Sequence, residues 1–118
     1  MNSDGLNKVF NPIINLPGKS KYYQKWADHK ESQYAHGWRI HDFKNRKTGE
    51  SSRMIHHGGH VNSFRSEIAI FPQEDLGITI LFNSPTKLAR TVVPDIHKIV
   101  KEVMDMPVEE LLAEASDF

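Results

Sequence analysis

The residues with the most chemical potential cluster in Ile55-His56-His57-Gly58-Gly59-His60-Val61-Asn62-Ser63-Phe64. An imidazole can bind a metal, move a proton or hold an anion near neutral pH. His57-x-x-His60, with His36 or His41 added, offers nitrogen ligands of the kind zinc takes. No HExxH motif or carboxylate companion accompanies them, so the expected metal set is none. Gly58 and Gly59 carry a different message. Glycine loses the most conformational freedom on folding and offers nothing to pack, so two together inside a strand imply close approach to the backbone. The visitor is a substrate carbonyl, a metal or merely a neighbouring strand.

The rest of the composition narrows the chemistry. The 118 residues contain no cysteine, which removes disulfides, thiolate ligands and cysteine nucleophiles. Lys+Arg and Asp+Glu stand at 15 each, without the basic excess of a nucleic-acid binder. No run of about 18 apolar residues would span a membrane. Met1–Gly5 is polar and lacks the apolar stretch of a signal peptide. The length suits one domain that buries about two-thirds of its unfolded surface. No cofactor motif is present.

The elements that position the histidines are read from periodicity. Residues 1–36 are expected to be irregular and partly helical. Leu6, Val9, Phe10, Ile13 and Ile14 give a short apolar face, interrupted by Pro12, Pro17 and Gly18. From residue 37 to 118 the pattern is regular. Gly37–Phe43 alternates, with Trp38 and Ile40 on one face and Arg39, His41 and Phe43 on the other. A polar turn follows at Asn45–Glu50. Ser52–His57 is the second expected strand and runs into the glycines. Ser63–Phe71 is the third, and Leu76–Phe82, nearly all apolar, is the fourth, expected to be buried on both faces. Val92, Val93, Ile96, Ile99, Val100 and Val103 form a helical stripe that packs on the sheet. Pro107–Ala115 is a second short helix. The expected fold is therefore α+β: a four-stranded antiparallel sheet with C-terminal helices on one face. In it, His56 faces the helices as a structural histidine, Trp38 and Phe64 lie in the core, Arg65 and Glu67 form a solvated cross-strand pattern, and His29 and His97 are at the surface.

Tyr34-Ala35-His36-Gly37-Trp38-Arg39-Ile40, then Ile55–Ser66, then Ile70–Ile78, then Leu81-Phe82-Asn83 resemble, in order and spacing, the C-terminal portion of the serine β-lactamase and penicillin-binding superfamily. The similarity spans roughly Tyr34 to Val103 and is closest to the branch of class C β-lactamases, D-alanyl-D-alanine carboxypeptidases and esterases. The resemblance implies that residues 37–118 are the C-terminal part of a β-lactamase-like α/β domain. That family places S-x-x-K, a Tyr- or Ser-containing motif and K-T-G around its site. His57-Gly58-Gly59 stands at the K-T-G position. By resemblance, His57 faces the acyl pocket, Gly58 and Gly59 let substrate lie along the strand, and the His60 backbone N–H is half of an oxyanion hole.

Large parts of the family's machinery do not match. The lone S-x-x-K, Ser84-Pro85-Thr86-Lys87, follows the fourth strand, whereas the family's nucleophile opens a helix far upstream of this stretch. No Tyr-x-Asn is present, and Ser63 replaces a glycine common at that turn. The resemblance thus implies a C-terminal fragment of a serine hydrolase acting on a lactam, peptide or ester, inactive alone because it holds no nucleophile. A non-catalytic binding or assembly module on the same scaffold is the alternative. The expected partner is the missing N-terminal part of the family fold, or a second copy paired through the exposed edge of the last strand. Family members are often exported to the cell envelope, but nothing in these residues specifies a compartment.

Overall fold

The computed structural model describes residues 3–16, 29–45 and 47–115. Helix α1 (Ser3–Phe10) is followed by strands β1 (Ile14–Asn15), β2 (His29–Ala35), β3 (Trp38–Lys44), β4 (Ser51–Val61), β5 (Phe64–Phe71) and β6 (Leu76–Phe82), then by α2 (Val92–Met104) and α3 (Val108–Ala115). The strands form one antiparallel sheet in chain order.

Among the described residues the sheet has six strands, and the expectation of four is wrong. β1 and β2 come from residues read as irregular. β2 is His-Lys-Glu-Ser-Gln-Tyr-Ala, too polar to announce a strand. Its position is set by a two-residue turn in which His36 (φ 34) and Gly37 (φ 89) are both left-handed. That is the type I′ geometry, whose twist suits a hairpin, and it folds β2 back on β3 from Ala35↔Trp38 onward. Gly37 ends the turn rather than starting a strand.

Helices also lie on both faces rather than one. On the first face, which we call the α2 face, Val93 of α2 joins Met54, Ala69, Phe71 and Ile78 in a core, with Val92 and Ile96 against it. On the opposite face Phe10 of α1 meets Trp38 edge to face, with ring centroids 5.6 Å apart, beside Ala35, Ile40 and Ile55. The aromatic at the end of α1 has a large area to bury, and Trp38 supplies the surface. Pro94 sits in the first turn of α2, where a missing N–H costs little, and the helix begins after a 3₁₀ turn at Lys87–Arg90.

Three further expectations fail at the sheet's far end. Phe64 is 61% exposed, not core, and Leu81 of β6 is 77% exposed. β6 is therefore buried on its α2 face only, because it is an edge strand with no helix over its other side among the described residues. Ile99 and Val103 of the helical stripe are also exposed. Of the stripe, Val92, Val93 and Ile96 pack on the core.

His97 is not a surface residue. Its ring stacks on Phe71 at 3.8 Å with 4° between planes, and its Nε2 lies 3.3 Å from Glu74 Oε1. Burial pushes its imidazole below the ordinary 6.5, against the pull of Glu74 in the other direction. The folded state thus takes up this proton less readily than the unfolded chain. Its contribution to stability is full above 6.5 and is lost as pH falls through the lower folded-state value. Thermal melts should show stability declining as pH is lowered from neutral through this window. His97→Phe keeps a ring on Phe71 and should give a shallower decline; an unchanged slope would assign the pH dependence elsewhere.

Candidate functional site

The histidine-glycine stretch occupies the second half of β4, and pairing decides what it presents. β3 accompanies β4 only as far as Arg39↔His56, while β5 accompanies it in one unbroken register to Val61↔Phe64. Among the described residues no strand lies beside Gly58–Val61 on the β3 side. The β4–β5 turn has two residues, Asn62 and Ser63, with Asn62 left-handed at φ 53. Closing such a turn makes Val61 and Phe64 a hydrogen-bonded pair. Alternation along an antiparallel ladder then makes Gly59/Ser66 and His57/Ile68 hydrogen-bonded pairs, and His60/Arg65 and Gly58/Glu67 the intervening ones. In the intervening pairs the N–H and C=O groups turn away from the partner strand. The backbone N–H groups of Gly58 and His60 therefore face the open side.

Side chains alternate too. Met54, His56, Gly58 and His60 lie on the α2 face; Ile55, His57, Gly59 and Val61 lie on the other. His57 is exposed, near exposed Val61, Phe64 and Ile68. His60 is exposed on the opposite face, beside half-buried Arg65. The zinc arrangement fails for this reason: a spacing of three in a strand sends His57 and His60 to opposite faces. Among the described residues no three His, Asp or Glu side chains are placed to hold a metal ion.

The two glycines have a structural explanation. A Cβ on Gly58 would lie 3.0 Å from Glu67 Oε1 and 3.1 Å from Oε2. A Cβ on Gly59 would lie 2.4 Å from Ser66 Oγ. Of the three possible visitors, the neighbouring strand is the one that fills the space, once on each face.

Glu67 is buried at 5% exposure and hydrogen-bonds His56, which is buried beside it. It belongs to no solvated pattern with Arg65. Further along the same face the Ser32 hydroxyl and His41 Nδ1 lie 2.9 Å apart, and the His41 and His56 ring centroids are 5.9 Å apart. Ser32, His41, His56 and Glu67 thus form a buried polar row across β2, β3, β4 and β5. Sequence reasoning placed His56 on the helix side and missed the row. Its one sequence signal is that His41, His56 and Glu67 fall at same-face positions of their strands; the register that aligns them is not local information.

Elsewhere, an open groove of about 830 Å³ lies at the other end of the sheet, lined by Phe10, Ile55, Asp42, Arg53 and Gln73 among others. Asp42 and Arg53 hold each other there through two hydrogen bonds of 2.8 and 3.1 Å, which push the guanidinium above its ordinary value. His57, Gly58, Gly59 and His60 do not line it. Ser84 is exposed beyond the end of β6, and the nearby Thr86 hydroxyl caps the 3₁₀ turn by accepting from the Leu88 N–H at 3.2 Å. Ser84 therefore does not open an α-helix as the family's nucleophile does.

Comparison with protein-family models, with curated proteins and with solved structures gives no match.

The glycine account separates two substitutions. Gly58→Ala must displace a buried carboxylate tied to His56 and should cost about 1–3 kcal/mol in urea unfolding. Gly59→Ala meets a single hydroxyl that can rotate away, and should cost less. Adding Ser66→Ala should remove that smaller penalty. Equal penalties at the two glycines would show that Glu67 is not held against Gly58.

Proposed function

We propose that this chain supplies one wall of an acyl-transfer site of the serine β-lactamase and penicillin-binding type, and is inactive alone. The observation that carries the reading is the open side of β4, where the outward N–H groups of Gly58 and His60 stand next to the exposed His57. Fixed backbone donors on a strand edge suit an acyl oxygen, because a developing oxyanion is stabilised by dipoles that need no reorientation. His57 adds a polar, exposed side chain beside the same donors. A nucleophile, its lysine and a general base would have to come from other residues, in the parent a serine hydrolase acting on a lactam, peptide or ester. The partner this reading requires is a polypeptide carrying the family's S-x-x-K and Tyr- or Ser-containing motifs.

A second reading treats the chain as a non-catalytic binding or assembly module. The observation that favours it is β6, a seven-residue edge strand without a charge.

Two measurements test the first reading. Incubation with a fluorescent penicillin or a chromogenic cephalosporin should give neither covalent label nor turnover. Labelling that disappears in Ser84→Ala would make Ser84 a nucleophile after all, and labelling that survives it would show a different one. Titration with unlabelled penicillin should move the backbone amide resonances of Gly58 and His60 more than that of Gly59, and His60→Pro should weaken the response. Equal shifts at all three amides would remove the wall.

A further inference from the structure

The two edges of the sheet are unlike. β1 has two residues and follows Pro12, so it offers little to pair with. β6 has seven, Leu-Gly-Ile-Thr-Ile-Leu-Phe, with neither a charge nor a proline. The ladder phase that begins at the Asn62-Ser63 turn carries through β5. Phe64, Ser66, Ile68 and Ile70 bond toward β4, so Arg65, Glu67, Ala69 and Phe71 bond toward β6. Their partners Phe82, Ile80, Ile78 and Leu76 point their backbone groups into the sheet. Gly77, Thr79 and Leu81 then point theirs outward, and among the described residues no strand receives them.

We infer that β6 pairs antiparallel with β6 of a second copy, about a two-fold axis through Thr79. That register sets Thr79 opposite Thr79 of the second copy and Gly77 opposite Leu81 of the second copy. All three outward residues then lie in hydrogen-bonded pairs, each exchanging two bonds. The side chains also match. A Cβ on Gly77 would meet nothing closer than the Ala69 carbonyl at 3.9 Å, so the space above it is open. Leu81, among the most exposed apolar side chains of the described residues, fills that space on the other copy, twice by symmetry. On the α2 face Ile78 meets Ile80 of the second copy, extending a core that already contains Ile78. Facing threonines are a favourable cross-strand pair, and no like charges meet. The joint continues the sheet with the α2 face on the same side in both copies.

A second copy is favoured over another strand because the edge is complementary to itself along its whole length. The inference does not depend on the acyl-site reading, whose amide shifts report on β4. Sedimentation velocity across a dilution series tests it. The expected result is a concentration-dependent rise to twice the chain mass. A monomer persisting at millimolar concentration would overturn it. Thr79→Lys sets two cations face to face on the axis and should weaken dimerisation roughly fivefold or more. The register has its own readout, since the chain contains no cysteine. Under oxidised glutathione, Thr79→Cys should form a covalent dimer, the facing Cα atoms being within disulfide reach. Leu81→Cys should not, because its symmetry mate lies four residues away along the strand. Crosslinking of Leu81→Cys without Thr79→Cys would refute the register.

Discussion

The unbroken pairing of β4 with β5 is the constraint on which the rest of the molecule depends. From Ile55↔Ile70 to Val61↔Phe64 there is no bulge, so one phase governs every side chain and every backbone group in both strands. A slip of one residue between the strands would put His56 and Glu67 on opposite faces of the sheet. The buried His56–Glu67 contact holds the phase. Two polar groups removed from water are tolerable only when they satisfy each other, and this register sets them diagonally adjacent on one face. Gly58 is the consequence on the other strand, since the Glu67 carboxylate occupies the place of its side chain.

The same phase, carried outward, determines the two open borders. On one side β3 turns away at His36-Gly37 before β4 ends, leaving the Gly58 and His60 donors without a neighbouring strand among the described residues. On the other side β6 ends the sheet with Gly77, Thr79 and Leu81 facing out. The two borders differ in character. The first carries histidine and glycine and suits a small polar group. The second is apolar and suits a strand. One ladder thus presents two unlike surfaces, and their backbone directions follow from a single two-residue turn.

Helix placement follows from which strands carry large side chains on which face. Phe71, Met54 and Ile78 gather on the α2 face and take Val93 and the stacked His97. Ile40, Ile55 and Trp38 gather on the other and take Phe10. The second cluster stops short of the far end of the sheet, which is why Phe64, Ile68 and Leu81 remain exposed.

How much of this was legible depends on the range of the signal. Period-two alternation at Trp38–Phe43 and Phe64–Phe71, the apolar run of Leu76–Phe82, the turn residues between strands, the helical spacing from Val92 and the concentration of histidine and glycine at 56–60 are local, and the sequence by itself determined them. So was the absence of charge in Leu76–Phe82. β2 was not legible, because its residues lack strand propensity and are held by a turn and by β3. Nor was the reason for Gly58 and Gly59, which lies nine and seven residues away in Glu67 and Ser66. The row of Ser32, His41, His56 and Glu67, the stacking of His97 on Phe71 and the sorting of His57 from His60 were decided by the tertiary structure alone. Each is a relation between strands or between strand and helix, set by register, and register is a property of the assembled sheet that no single segment encodes.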